Sequence, residues 1–225
     1  SDIVWNYIGT IVSMASGFVL LPLLMHFLSS SELGLWYVYV ALSNFAMLFE
    51  FGFNPTFARN IVYVISGARH LSIEGCDIKS VQEGIDWHLL NTVIKASKVI
   101  YAILAVVVLA LLSTIGSLYI SFVASGMGSF DIWVSWGLFC ASVFLNLYFL
   151  WSITVLRGYG DIAGENKAVV IGRAAQLSVS AILLLLGYGL VGAAIGYLAN
   201  AILLRLSAVV MLRKHKEIEK GRHSD

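Results

Sequence analysis

The sequence predicts an all-α, polytopic membrane protein of six transmembrane helices, on three observations. Hydrophobic residues make up 59% of the chain and charged ones only 12%, against about a quarter charged in soluble domains. Apolar windows of the roughly 20 residues needed to cross a hydrocarbon core about 30 Å thick recur six times. Lysine and arginine are confined to alternate connections between those windows. The net charge of +1, with positive residues few and sorted by side, carries no sign of nucleic acid as a partner. Cys76 and Cys140 lack CxxC spacing and a neighbouring histidine pair, so neither a disulfide nor a metal or cofactor site is expected.

The first span, residues 3–28, is too long and too interrupted by polar residues for a cleaved signal sequence. Ser1 in place of methionine fits a trimmed or partial chain. Asn6, Thr10, Ser13 and Gly17 step by three or four, which predicts one small polar stripe facing other helices or a cavity. The second span, 33–65, exceeds what a bilayer needs, so it is expected to bend, tilt or project.

Within that span Ser43, Glu50 and Asn54 share one face, and Phe45, Phe49, Phe53 and Phe57 form another for packing or lipid. Gly52 and Pro55 predict a hinge, because proline lacks a donor and clashes with the preceding turn. Glu50 falls roughly 25 Å from the outer surface. In a straight helix it lies about 13 Å and half a rotation from Arg59, so the two do not pair. Glu50 is then either a buried partner of another cation or a proton-responsive group lining a cavity. Arg59 either snorkels to the interface or binds a ligand.

The loop 66–91 is hydrophilic, and Ile78, Val81, Ile85 and Leu89 recur there at helical spacing, which predicts a short helix on the inner leaflet. His70 and His88 stand alone and carry no metal expectation. The third span, 92–122, is apolar all round apart from Tyr101 and is expected against lipid. The fourth covers 130–156. The stretch RGYGDIAGENK after it is not a nucleotide loop, since no strand precedes it and no Gly-Lys-Ser/Thr follows. In the fifth span, 167–187, Arg173, Gln176 and Ser180 share a line; in the sixth, 190–212, Gly192, Gly196 and Asn200 do, which permits close helix contact. Residues 213–225 read as a charged tail.

The connections at 28–32, 123–129 and 188–189 contain no lysine or arginine. Positive residues flank the other connections and the tail, so both termini and the loop 66–91 are expected in the cytoplasm. Trp5, Trp36, Trp133, Trp136 and Trp151 sit near span ends, as interfacial rings do.

Several short patterns occur in a recognisable order. They are Pro22 followed by two leucines; Glu32-Leu-Gly34-Leu-Trp36; Glu50-Phe-Gly52-Phe with Arg59-Asn60; Leu156-Arg157-Gly158; and Gly189-Leu190-Val-Gly192. This order resembles the amino-terminal half of polysaccharide and O-antigen flippases in the multidrug, oligosaccharidyl-lipid and polysaccharide exporter superfamily. The resemblance implies one lobe of a two-lobe exporter in the bacterial cytoplasmic membrane, not an enzyme. The second six-helix lobe would come from a covalent continuation or from a second copy.

The implied cargo is an isoprenoid-diphosphate-linked glycan, with membrane lipids as surroundings. An anionic headgroup needs a wet cationic cavity, and arginine suits diphosphate because its planar donors grip oxygens in pairs. Arg59, Arg173 and Arg205 are the candidates, followed by Lys95 and Lys98, with Gln176 and Asn54 beside them. No ATP-binding sequence is present, so Glu50 is the candidate for coupling to an ion gradient. The alternatives are a multidrug or cation antiporter lobe, an accessory subunit, or a membrane-embedded glycan-assembly enzyme. The enzyme would need a large catalytic loop or clustered His, Asp and Arg, and the external loops are very short.

Overall fold

Strong caps decide where these helices begin. The computed structural model describes residues 2–50, 52–72, 75–76, 84–125 and 129–222. Helix α1 (Asp2–Phe27) is followed by α2 (Ser30–Leu48), which opens on a reciprocal cap. The Ser29 hydroxyl accepts from the Glu32 N–H at 3.3 Å, and the Glu32 carboxylate accepts from the Ser29 N–H at 2.9 Å. The helix therefore starts at Ser30, ahead of the hydrophobic run from residue 33.

After α3 (Phe53–Ile65), strands β1 (Leu71–Ser72) and β2 (Gly75–Cys76) pair antiparallel, Leu71 with Cys76 and Ser72 with Gly75. The expected surface helix falls partly on Ile78 and Val81, which lie outside the described residues. Ile85 precedes the next helix and Leu89 lies within it.

Helix α4 (Trp87–Leu111) begins before residue 92 because Asp86 caps it, accepting the Leu89 N–H at 2.9 Å. That bond holds the Asp86 carboxyl below its ordinary value, and Arg69, 3.6 Å away, adds to the effect. A carboxyl depressed in the folded state contributes stability above its unfolded value, roughly pH 4, and loses it as pH falls through the folded one. Amide exchange in the first turn of α4, corrected for intrinsic rate, should therefore quicken on acidification. In Asp86→Ala it should already be fast at neutral pH.

Beyond α4 come a π-helical turn (Leu112–Gly116), α5 (Ser117–Val123), α6 (Ser129–Tyr148), α7 (Leu150–Gly158), α8 (Ile162–Leu185) and α9 (Gly189–Arg222). Helix α8 starts five residues before the apolar span did, because the Asp161 carboxylate accepts the Gly164 N–H at 2.7 Å. Helix α9 continues through the expected tail to Arg222, in keeping with the strong helix formers Arg, Lys and Glu that dominate that stretch.

Among the described residues five helical stretches are long and apolar enough to cross a membrane, and the bent α2–α3 pair makes a sixth when counted as one span. Contacts fix their directions. Gly9 sits against Asn166, so α1 runs parallel to α8; Gly172 meets Asn200 and Leu204, so α8 and α9 are antiparallel. The Phe139 and Tyr197 rings stack at 4.9 Å, while Asn146 meets Arg205, so α6 and α9 are parallel. Both chain ends of the bundle consequently lie at one side, called here the terminal end.

Two apolar clusters fill the bundle. One surrounds Trp36, Tyr39, Trp136 and Phe139; the other, nearer the terminal end, surrounds Phe57, Ile61, Tyr101 and Leu156. The α2–α3 bend of 45° and the α6–α7 junction at Phe149 both fall where these clusters meet. Gly52 there has φ of +76°, a left-handed backbone that glycine adopts without steric penalty.

Two expectations are corrected. The third span does not simply face lipid: Leu90, Ile94, Ser97, Tyr101, Ala105 and Val108 form a buried stripe on α4. Its uniform apolarity hid this, since packing and lipid-facing sides look alike in composition. The stripe of Asn6, Thr10 and Gly17 points away from the bundle, with Ser13 half-buried beside it. Helix α1 instead turns Gly9, Ser16 and Leu24 inward, small residues at the first two positions allowing close approach to α8.

Candidate functional site

Polar side chains collect where the helices break. After the left-handed Gly52, the first turn of α3 needs acceptors for its N–H groups, and the Glu50 carboxylate takes that of Asn54 at 3.1 Å. Pro55 has no N–H to satisfy, so it sits in the first turn without loss. The expected hinge is thus a change from one helix to the next. Glu50, half-buried, makes no ion pair with Arg59, which is exposed.

Asn54 extends the group inward. Its Oδ1 accepts from the Thr154 hydroxyl at 3.2 Å, and Thr154 also lies 3.4 Å from the fully buried Tyr101 hydroxyl. Glu50, Arg157 and Arg205 are all within electrostatic range of that phenol. Arg157 is held by Glu165 across the α7–α8 connection through two donors, Nε at 3.2 Å and Nη2. The phenylalanine stripe leads toward this layer: Phe45 is 66% exposed, whereas Phe57 is buried 6.2 Å from the Tyr101 ring.

A second group joins α8 to α9. Gln176 Oε1 accepts from Asn200 Nδ2 at 2.8 Å and from Arg173 Nη1 at 3.1 Å. Gln176, Ser180 and Asn200 are buried and Arg173 is half-buried, so the face read from α8 is a shared polar seam. Arg173 stands at the middle of α8, eleven residues after Ile162 and twelve before Leu185, roughly 16 to 18 Å from either end.

Arg205 belongs to neither group. It lies on α9, and its Nη2 donates to Asn146 Oδ1 at 3.2 Å. Lys95 is exposed, and Lys98, also exposed, rests its ammonium 4.1 Å over the Trp151 ring. The expected site residues therefore fall in separate places, and only Arg173 with Gln176, and Glu50 with Asn54, are in contact.

Several hollows lie on the bundle. An apolar groove of about 560 Å³ runs between α2 and the α4–α5 stretch, and one of about 440 Å³ separates that stretch from α6. A crevice of about 120 Å³ lies between the α6–α7 junction and α9. None of these is bordered by α1 or α8.

Sequence reasoning missed Tyr101, Asn146 and Thr154 as site residues. Asn146 carried a usable signal, being an amide inside an otherwise apolar span. Tyr101 gives little signal, because its neighbours in the span are apolar.

These features define a multi-pass helical membrane protein with a polar layer between two apolar clusters. Comparison with protein families, with characterised proteins and with solved structures gives no match.

Proposed function

We propose that the chain is one lobe of an alternating-access carrier, moving a lipid-linked, phosphate-bearing glycan across the bacterial cytoplasmic membrane with both termini inside. The observation that carries this reading is Arg173, a half-buried guanidinium at the middle of an apolar helix. Arg173 lies six residues, about 9 Å, into the apolar part of that helix, and a charged side chain within hydrocarbon is costly, by about 3 kcal/mol or more at the helix centre. A watery cleft or a second protein body over α8 removes most of that cost. The outward polar stripe on α1, which runs beside α8, suits the same surroundings.

A guanidinium in such a cleft selects an anion, which favours a phosphate cargo over cationic drugs. The α2–α3 break at Gly52 supplies a place for a lobe to flex, and Glu50 beside it is the group through which an ion gradient acts. No step of this reading breaks or forms a covalent bond in the cargo, so the chain acts as a carrier and not as an enzyme.

Export of lipid-linked glycan in cells producing Arg173→Ala should fall by about tenfold or more with membrane insertion intact, and Arg173→Lys should restore part of it. Unchanged export in Arg173→Ala removes the anion cleft from the mechanism. Sensitisation to cationic drugs without a glycan defect favours the multidrug alternative.

A further inference from the structure

Two lysines rest on indole rings at one height in the bundle. The Lys98 ammonium lies 4.1 Å from the centre of the Trp151 ring, and that of Lys167 lies 4.9 Å from the centre of the Trp5 ring. Phe139 stacks on Tyr197 and Asn146 meets Arg205, so Trp151 stands level with Val210 on α9. Gly172 meets Leu204 and Gly196 meets Ser180, so Lys167 stands level with Val209. The two pairs draw on four helices, α1, α4, α7 and α8, and agree in height to about 1.5 Å, one residue of helix.

The exposed surface changes character at that height. On α4 the large exposed side chains before Lys98 are His88, Asn91, Thr92 and Lys95; after it they are Val99, Ile103, Val106 and Val107. From Val99 to Val123 the rod is roughly 36 Å long, enough by itself to cross a hydrocarbon core of about 30 Å. On α9, Leu206 and Val210 give way to Arg213. The exposed face of α2 is mainly apolar, with Tyr37, Phe45, Met47 and Leu48 on it. Helix α3, beyond the Gly52 break, instead exposes Pro55, Thr56, Arg59 and Val62 and buries Phe57, Ile61 and Val64. One buried apolar stripe with a largely polar outer face suits a helix to water, whereas a lipid-facing helix is apolar outside as well. Ile61 packs on Gly158, seven residues past Trp151, which puts it about 10 Å beyond the indole.

We propose that the lipid phosphates on the terminal side lie at Lys98 and Lys167, and that α3, the first three turns of α4 and the last three turns of α9 stand beyond them as a water-facing cap. Indole rings favour the interface, and each lysine lays its methylenes in the apolar layer while its ammonium reaches a phosphate. The cap rises about 16 Å above the lipid, the length of α4 from Trp87 to Lys98. Ile61, Val64, Leu90 and Ile94 of the second apolar cluster lie inside it, held by exclusion of water, a force that lipid withholds from the first cluster. The break at Gly52 is the point where the chain leaves hydrocarbon. This placement requires only the membrane setting and stands independently of the carrier reading.

Nitroxide labels on the full chain in lipid nanodiscs test it, with Cys76→Ala and Cys140→Ala as background. Labels at Val62→Cys and Thr92→Cys should be relaxed by a water-soluble nickel chelate more than by oxygen. Labels at Ile103→Cys and Val106→Cys, equally exposed on the protein, should lose the chelate effect and respond to oxygen, which concentrates in lipid. In native mass spectrometry, Lys98→Gln and Lys167→Gln should each weaken retention of phosphatidylglycerol by about fivefold, the effect of one cation near a charged leaflet, and leave retention of phosphatidylcholine unchanged. Oxygen-dominated relaxation at Val62 or Thr92 overturns the proposal, as does unchanged retention of phosphatidylglycerol in both lysine variants.

Discussion

Gly196→Leu should unfold the detergent-solubilised protein with a loss of about 3 kcal/mol, the upper part of the usual overpacking range. A Cβ at this position would lie 3.0 Å from the Gln176 carbonyl oxygen and would collide with the Ser180 hydroxyl. The hydroxyl can rotate away, but a backbone carbonyl inside α8 cannot, so the helices themselves must separate. Gly172 repeats the situation from the other side, with Asn200 Oδ1 at 2.6 Å and Leu204 Cβ at 2.8 Å from a Cβ placed there.

In lipid the association of helices rests on such contact, since acyl chains are as apolar as leucine. Gly17→Leu is the matched control, because nothing lies within 4 Å of a Cβ on that glycine. It should leave stability unchanged or slightly raised. Equal denaturation curves for the two variants would show that the close α8–α9 approach contributes little.

Gln176→Leu has the second largest expected effect, about 2 kcal/mol of stability, read by the same unfolding measurement. Hydrogen bonds between membrane helices average about 0.6 kcal/mol and reach about 1.7, because the separated helices find other partners. Gln176 is expected above that range since one oxygen serves two donors, the Asn200 amide and the charged Arg173. Gln176→Glu keeps an acceptor for both and adds a counter-charge, so it should stay near native stability. If the leucine and glutamate variants lose stability equally, the side chain matters for its shape and not for its oxygen.

The six apolar stretches were legible because bilayer thickness sets their length, and the α2–α3 break because Gly52 and Pro55 act locally. Helix starts were less so. Ser29, Asp86 and Asp161 each open a helix ahead of the apolar run, and a search for hydrophobic windows passes over caps. On α8 and α9 the lines Arg173–Gln176–Ser180 and Gly192–Gly196–Asn200 were readable as faces, and the structure places them against one another. That they meet was not readable from either helix alone.

Arg205 was legible as a candidate, but its partner Asn146, 59 residues earlier in the chain, was not. Helix α1 misled for a different reason. Polarity does not mark the inward side there: close packing selects Gly9 and Ser16, and the larger polar groups stay outside.

The π-helical turn at Leu112–Gly116 sets an angular offset within one continuous rod. One additional residue in that turn swings everything beyond it by about 100° relative to α4. The swing brings the Ser117 hydroxyl to 3.0 Å from the Trp136 indole nitrogen and lays Gly116 against the same ring. Deleting a single residue from that turn would leave α4 seated as before, yet α5 would present a different side to α6, as a key cut one notch short still enters its lock but no longer engages.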